Sequence, residues 1–245
     1  MNRMETRNLN EIIHQISYFP KKRLGVFKNL TDRERGFVVL RLSKHLRYEI
    51  VSKLEKDELI SMLEYLDTDE ATDILQLFPE KKREPIIEKL NKEMRSGVSL
   101  LLQFDPGTAA GLMSIDYIQV DSTDSITSVA KQVEVHEKRT GKLPAILVMD
   151  SKGLAGYVPG HVLGIRHPAD QIIKYAKKAR VIDHKANTRE VLELFREHPH
   201  DKVVVLGERG NVMGIIYSDD ILRVLDERGI ISLWFCRCAC GGIGF

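Results

Sequence analysis

One abrupt change in hydrophobic periodicity, near residue 105, constrains this chain more than any other feature of its sequence. Before it, apolar residues recur at helical spacing and glycine is scarce; after it, short runs of Ile, Val, Leu and Tyr alternate with glycine-containing turns. The breaker segment Asp105-Pro106-Gly107 separates the two patterns, because proline cannot continue a helix and glycine permits a positive φ. The sequence therefore predicts a helical domain joined, between Leu101 and Asp121, to a domain of alternating strands and helices.

The composition indicates a soluble globular protein. Of the 245 residues, 43% are hydrophobic and 29% are charged, and the formal net charge is +2, so bulk charge does not suggest nucleic acid as a partner. Short basic clusters such as Lys177-Lys178 are predicted to be solvated surface. Because the chain has no run of about 18 to 20 apolar residues and no apolar signal-peptide core, we predict a cytoplasmic protein without a membrane span.

The three cysteines all lie in the C-terminal segment, residues 229–245, as Cys236, Cys238 and Cys240. A disulfide framework across the folded body is therefore excluded. A zinc site would need a fourth ligand and convergent side chains, which alternate residues of a strand do not readily supply. We expect a hydrophobic terminal segment, either native or the remnant of a disrupted continuation.

Apolar stripes and capping signals predict a series of short helices in the first half. Leu9, Ile12, Ile13, Ile16 and Phe19 form one stripe, which Pro20 closes. Thr31 with Glu34 three residues on is a capping box, followed by Phe37, Val38 and Leu42 as buried positions. None of these helices can bury its stripe alone, so stacking in order predicts a small superhelix.

Two further signals place the later helices of this half. Pro85 is expected at the first helical position after a turn at Lys81–Glu84, because proline inside a helix loses a hydrogen bond and clashes. Asn91 is expected to cap the last helix, which runs to about Phe104.

The second half contains an internal duplication. Leu147–Gly164 can be laid over Val204–Leu222, with a hairpin glycine (Gly153, Gly210) and a second glycine after the turn (Gly156, Gly214) in matching places. A repeated β-α-β-β-α unit of this size predicts two halves that pack sheet to sheet around a pseudo-twofold axis.

This duplication resembles a tandem pair of cystathionine-β-synthase (CBS) domains. Thr108-Ala-Ala-Gly-Leu-Met113 is similar to the T-A-G-G-L-M signature of MgtE-type magnesium transporters, with Ala110 in place of the first glycine. The resemblance covers about residues 30 to 227 and implies an α + α/β fold, an N-terminal α-helical superhelix followed by a tandem CBS-domain pair. The implied parts are a helical domain at 1–107, CBS domain 1 at 108–175, CBS domain 2 at 176–228 and the terminal segment at 229–245.

The same resemblance points to acidic residues as Mg²⁺ ligands. Residues 63–78, LEYLDTDEATDILQLF, are similar to a family segment whose acids help hold Mg²⁺, which implies Asp69 and Asp73 as ligands. The residues alone leave another interpretation open, since Asp67 can cap a helix with Glu70 at its third position and the helix dipole favours acids in a first turn. Like charges at i, i+4 cost roughly 0.2 to 0.5 kcal/mol, so the pair indicates either a tolerated repulsion or a bound cation.

A second acidic cluster, Ser218-Asp219-Asp220, suits the start of a helix. In CBS proteins the corresponding motif holds a nucleotide, which implies Gly214, Ser218 and Asp220 as adenine-nucleotide contacts, although Tyr217 replaces the usual hydroxyl residue. In the transporter family the two acids contribute to the Mg²⁺ cluster instead, which implies Asp219 and Asp220 as metal ligands.

No catalytic constellation is found, so we predict that the chain is not an enzyme. The resemblance implies a cytosolic Mg²⁺-sensing module in which Mg²⁺ draws the helical domain onto the CBS pair, with Gly107 and Gly111 flanking the hinge. Transport itself would need a membrane domain, in cis or in trans, and the module would then lie at the cytoplasmic face of the membrane. The alternatives are an adenine-nucleotide-binding CBS module or a dimerisation scaffold, and a homodimer through the CBS domains is expected.

Overall fold

The structure is a computed structural model that describes residues 3–140, 143–198, 202–218 and 221. Their contacts divide them into two units, the first ending at Gln103 and the second beginning at Phe104. Each unit contains its own buried apolar clusters. The change in periodicity near residue 105 therefore coincides with the boundary between the units.

In the first unit the described residues form α-helices and turns. From α3 to α8, each helix begins 12 residues after the one before it. Helices two apart in sequence pack together, as α2 does on α4, α3 on α5 and α6 on α8. This is the stacking of a superhelix, so the predicted fold of this half is confirmed. The helices are α1 Arg3–Tyr18, α2 Pro20–Lys28, α3 Asp32–Val39, α4 Lys44–Val51, α5 Lys56–Leu63, α6 Thr68–Leu75, α7 Glu80–Ile87 and α8 Lys92–Leu101.

Buried arginines connect successive helices of the superhelix. Arg23, Arg35 and Arg47 occupy the same position in three consecutive repeats, and all three are buried. A helix leaves its last carbonyls without intrahelical partners, and a guanidinium fork can satisfy more than one of them. Each arginine therefore holds the end of the preceding helix. The Nε atoms donate to Ile16 O (Arg23, 2.7 Å), Phe27 O (Arg35, 3.3 Å) and Val39 O (Arg47, 3.2 Å).

The predicted capping box of α3 is confirmed, but one of its predicted core residues is wrong. Thr31 and Glu34 cap the helix as expected. Phe37 is 40% exposed, whereas Val38 and Val39 are fully buried. Val38 and Leu42 are buried as predicted, and Arg35, which a reading of hydropathy alone treats as a surface residue, is buried as well.

The predicted turn at Lys81–Glu84 is also wrong, because α7 runs from Glu80 to Ile87 with Pro85 inside it. Proline at this position removes the hydrogen bond that the carbonyl of Lys81 would accept. Lys81 and Pro85 are both exposed, so water can solvate that carbonyl. The Asn91 cap of α8 is confirmed by the bond from Met94 N to Asn91 Oδ1 at 3.0 Å.

The second unit contains two three-stranded sheets of identical topology. In each sheet the first strand runs parallel to the second, and the second pairs antiparallel with the third. The predicted duplication is thereby confirmed. The elements are α9 Ala109–Leu112, β1 Tyr117–Asp121, α10 Ile126–Thr140, β2 Ala145–Asp150, β3 Gly153–Val158, α11 Val162–Ile165, a 3₁₀ helix Ile172–Tyr175, β4 Arg180–Asp183, α12 Thr188–Glu197, β5 Val203–Leu206 and β6 Val212–Ile216.

Glycines at equivalent positions of the two repeats have the same structural role. Gly153 and Gly210 have positive φ angles of 112° and 72° in the hairpin turns, which explains glycine there. Gly156 and Gly214 lie where the backbone of another segment crosses the third strand of the sheet. A Cβ atom would stand 2.3 Å from Lys177 O in the first case and 2.7 Å from Ser114 O in the second.

The joint segment, residues 107–114, is bound to the second repeat. Ala109 N donates to Ala186 O at 2.7 Å and Ala110 N to His184 O at 3.0 Å, and Ser114 exchanges two hydrogen bonds with Ile215. These bonds hold the segment along its length.

The prediction that Gly107 and Gly111 flank a hinge is therefore wrong, because the segment between them is hydrogen-bonded to the second repeat. A Cβ atom on Gly111 would lie 2.1 Å from the carbonyl oxygen of Asp105. Glycine is needed at position 111 because the backbone of Asp105 packs against it, and not because the chain bends there.

Candidate metal and nucleotide sites

The start of α6 gathers acidic side chains of the first unit. Asp67 and Glu70 form a capping box, in which Asp67 N donates to Glu70 Oε2 at 2.9 Å. The helix buries Ala71, Ile74 and Leu75. The cap that the sequence offers at Asp67 and Glu70 is confirmed.

The predicted Mg²⁺ ligands Asp69 and Asp73 both lie on α6, one helical turn apart. A carboxylate oxygen of Asp69 lies within 4.8 Å of one of Asp67, which makes Asp67, assigned from sequence to the cap alone, a further candidate. Carboxylate oxygens are the protein ligands that Mg²⁺ prefers, and the ion retains several waters, so it tolerates an open group of acids. These residues fit the ion, and their role as ligands stays a prediction.

The 12-residue repeat offers internal comparisons for this acid pair. Asp57 occupies in α5 the position that Asp69 occupies in α6, but the residue one turn later in α5 is Ser61. Asp57 also pairs with Lys89, whose Nζ lies 3.3 Å from its carboxylate. Among helices α2 to α8, α6 is the one that carries acids at both of these positions.

Part of the second predicted cluster lies outside the described residues, namely Asp219 and Asp220. Gly214 belongs to β6, where a Cβ atom would lie 2.7 Å from both Cγ and Sδ of Met113. Packing against the joint segment is therefore sufficient to explain a glycine there. The assignment of Gly214 and Ser218 to nucleotide binding stays a prediction.

Tyr217, which stands where CBS proteins carry a hydroxyl residue, has a cation above its ring. Lys202 Nζ lies 5.2 Å from the ring centroid, and burial lowers the pKa of Lys202. Sequence reasoning missed Lys202, because only the pairing of β5 with β6 places the residue before Val203 beside the residue after Ile216.

Two domain families match this chain. Residues 4–107 match the MgtE intracellular N domain, and residues 173–227 match the CBS domain. The first match extends nearer to the N-terminus than the predicted start near residue 30.

The chain is also similar to a curated protein, the magnesium transporter MgtE of Thermus thermophilus. The two are 25% identical over 276 residues, which cover 95% of this chain and 60% of that protein. The chain thus spans about 60% of the relative's length. Within the described ranges, no helix is both long and apolar enough to cross a bilayer.

Solved structures show the same fold. The cytosolic domain of the Mg²⁺ channel MgtE, solved in complex with ATP, superposes with a TM-score of 0.76 at 23% identity and covers 90% of this chain and 95% of its own. The soluble part of a magnesium transporter has a TM-score of 0.63 at 17% identity, with 91% and 98% covered. In its match to the MgtE intracellular N domain, followed by a match to the CBS domain, the chain is similar to the MgtE-type magnesium transporters.

Proposed function

We propose that this chain is the cytosolic Mg²⁺-sensing part of an MgtE-type magnesium transporter. The observation that carries the proposal is an MgtE N domain followed by a CBS domain in a chain similar, over 95% of its length, to a magnesium transporter. The chain acts as a regulatory module at the cytoplasmic face of the membrane and not as an enzyme. The membrane domain that carries out transport is supplied in cis or in trans.

Asp69 and Asp73 would bind Mg²⁺ together with Asp219 and Asp220, and the helical domain is thereby drawn onto the CBS pair. The donor chemistry of the α6 acids supports this assignment. Two unit charges about 4 Å apart interact by about 1 kcal/mol in water and by up to about 4 kcal/mol near a protein surface. A shift from 1:99 to 99:1 needs about 5.5 kcal/mol, so a full switch requires several acid pairs and more than one ion.

Small-angle scattering in EDTA and in millimolar Mg²⁺ tests this proposal through the radius of gyration. We expect Mg²⁺ to compact the wild-type chain and to have no such effect on the variant Asp69→Ala/Asp73→Ala. Asp57→Ala is the matched control, because it removes the equivalent acid of the preceding repeat and should leave the compaction unchanged. A wild-type chain that does not compact, or a double variant that still does, would contradict the proposal.

A second candidate function is adenine-nucleotide binding by the CBS pair. It is favoured by the similarity to a cytosolic domain that was solved with ATP. Calorimetry with ATP, ADP and AMP separates the candidates: saturable binding that Asp220→Ala abolishes supports a nucleotide site, and heats of dilution alone argue against it.

The remaining alternative is a dimerisation scaffold formed through the CBS domains. Light scattering at several protein concentrations measures the molar mass in solution. A stable dimer that responds to neither Mg²⁺ nor adenylates would favour the scaffold, and a monomer would exclude it.

A further inference from the structure

The loop that leads from the first repeat to the second carries exposed cations and exposed isoleucines together. We refer to residues 165–178 as the basic loop; it contains four lysines or arginines and one aspartate. Its 3₁₀ helix is anchored by Ile172, which is fully buried, and by Tyr175, which packs on the same cluster. Since a 3₁₀ helix has three residues per turn, Ile172 and Tyr175 share one face, while Ile173 and Lys174 point away from the core.

Side-chain contacts connect the first part of the basic loop to its 3₁₀ helix. Lys174 Nζ donates to Asp170 Oδ1 at 2.7 Å and Tyr175 OH to Asp170 Oδ2 at 2.6 Å. These hydrogen bonds, from Lys174 first and then Tyr175, lower the pKa of Asp170 and keep it ionised at neutral pH. The guanidinium of Arg166 lies 5.1 Å from the centroid of the Tyr175 ring. Arg166, Asp170, Lys174 and Tyr175 are therefore held together by side-chain contacts.

The end of the basic loop adds two exposed lysines on a fixed backbone. Lys177 exchanges backbone hydrogen bonds of 2.8 and 2.9 Å with Tyr157 of β3. Lys177 and Lys178 are both exposed, and neither forms a salt bridge with any residue in the part of the chain that the structure describes. Among the described residues, therefore, no carboxylate pairs with either lysine, whereas Lys174 pairs with Asp170.

The apolar side chains on this surface are large and exposed. Ile165 is 66% exposed and Ile173 is 37% exposed. Each is followed in the sequence by a cation, Arg166 and Lys174 respectively. Isolated exposed apolar residues are common, but isoleucines interspersed with unpaired lysines on one short loop have the composition of an interfacial membrane-binding segment. An acidic protein would match the charge alone, whereas a lipid surface accounts for the charge and the isoleucines.

We propose that the basic loop docks on the surface of an anionic lipid bilayer. Lys177 and Lys178 attract the anionic headgroups, and Ile165 and Ile173 enter the boundary between headgroups and acyl chains. Each lysine near such a surface strengthens binding by about fivefold. This docking does not depend on Mg²⁺, so it can be tested separately from the proposed sensing function.

Vesicle cosedimentation of the full chain in EDTA tests the proposal. The chain should bind vesicles of phosphatidylcholine mixed with phosphatidylglycerol, should be released by high salt, and should not bind pure phosphatidylcholine. Lys177→Glu/Lys178→Glu should lower the partition coefficient by at least about twentyfold, and Ile173→Ser by about threefold. Lys177→Gln/Lys178→Gln should weaken binding less than the charge reversal.

Lys81→Glu/Lys82→Glu is the matched control, because it makes the same charge change at two exposed lysines of α7 in the first unit. It should change the partition coefficient by less than about twofold. Circular dichroism verifies that each variant is folded. Absence of binding to the mixed vesicles, equal binding to pure phosphatidylcholine, or an equal loss in the α7 control would each overturn the proposal.

Discussion

At the scale of single residues, a buried arginine takes the place of an apolar core residue in the superhelix. Arg47 is only 2% exposed, and it donates to the carbonyls of Val39 at 3.2 Å, Leu40 at 3.1 Å and Leu42 at 3.3 Å. Burying a cation is costly unless it is fully hydrogen-bonded. Here the carbonyls of Leu40 and Leu42, just after α3, supply acceptors, together with Val39 O, which also accepts from Leu42 N at 3.2 Å. The buried guanidinium and the carbonyls after α3 therefore supply hydrogen-bond partners to each other.

Replacing Arg47 by alanine should lower the free energy of unfolding by about 2 to 4 kcal/mol. The change removes the guanidinium donors from the carbonyls of Val39, Leu40 and Leu42 and opens a cavity. Urea denaturation followed by circular dichroism measures the effect. Arg41→Ala is the control, because Arg41 is exposed and donates to Phe37 O at 2.9 Å on the surface, so its loss should cost no more than about 0.5 kcal/mol. Equal effects of the two substitutions would contradict this account.

At the scale of elements, each sheet of the second unit is completed by a segment outside its own three strands. Lys177, which follows the 3₁₀ helix, pairs with Tyr157 of β3, whereas Ser114, which precedes β1, pairs with Ile215 of β6 in the other repeat. A glycine stands at both crossings, Gly156 and Gly214. The first repeat therefore does not begin as an independent element, because its leading segment is part of the second repeat's sheet.

Gly156→Ala should destabilise the second unit by about 1 to 3 kcal/mol. The new Cβ atom would lie 2.3 Å from the carbonyl oxygen of Lys177, so the crossing backbone must move and the bonds between Tyr157 and Lys177 must lengthen. Differential scanning calorimetry measures the shift of the transition. Gly164→Ala serves as control, since a Cβ atom there meets nothing within 4 Å. A Gly156→Ala protein as stable as this control would show that the crossing is loosely packed.

At the scale of the whole molecule, the apolar cores of the two units are built from separate parts of the chain. One core lies among residues 9–102, and the others use residues between 117 and 217. Separate cores of this kind are the property that allows domains to fold independently.

A fragment of residues 1–103 should therefore fold alone, with a helical spectrum and a cooperative thermal transition. Residues 1–87 form the comparison, because this shorter fragment lacks α8, which packs on α6 and α7 and buries Met94, Val98 and Leu101. A terminal helix of a superhelix covers the apolar face of its neighbour, so its removal should lower the melting temperature substantially. A non-cooperative transition in the longer fragment would contradict the expectation.

Much of this fold could be predicted because it depends on neighbours in sequence. The caps at Thr31 and Asn91 follow from side chains that bond backbone groups three residues away. The duplication follows from matched glycines, Gly153 with Gly210 and Gly156 with Gly214. Likewise, the placement of Asp69 and Asp73 on one helix follows from spacing alone.

The features that only the tertiary structure decided depend on contacts between residues that are distant in sequence. Arg35 is buried because carbonyls of the previous helix receive it, and Lys202 meets Tyr217 because two strands pair. The joint segment is rigid because it binds the second repeat about 75 residues further along the chain. By itself the sequence determined the two kinds of architecture, their boundary and the acidic face of α6. The fixed path of the joint came from hydrogen bonds that local periodicity cannot encode.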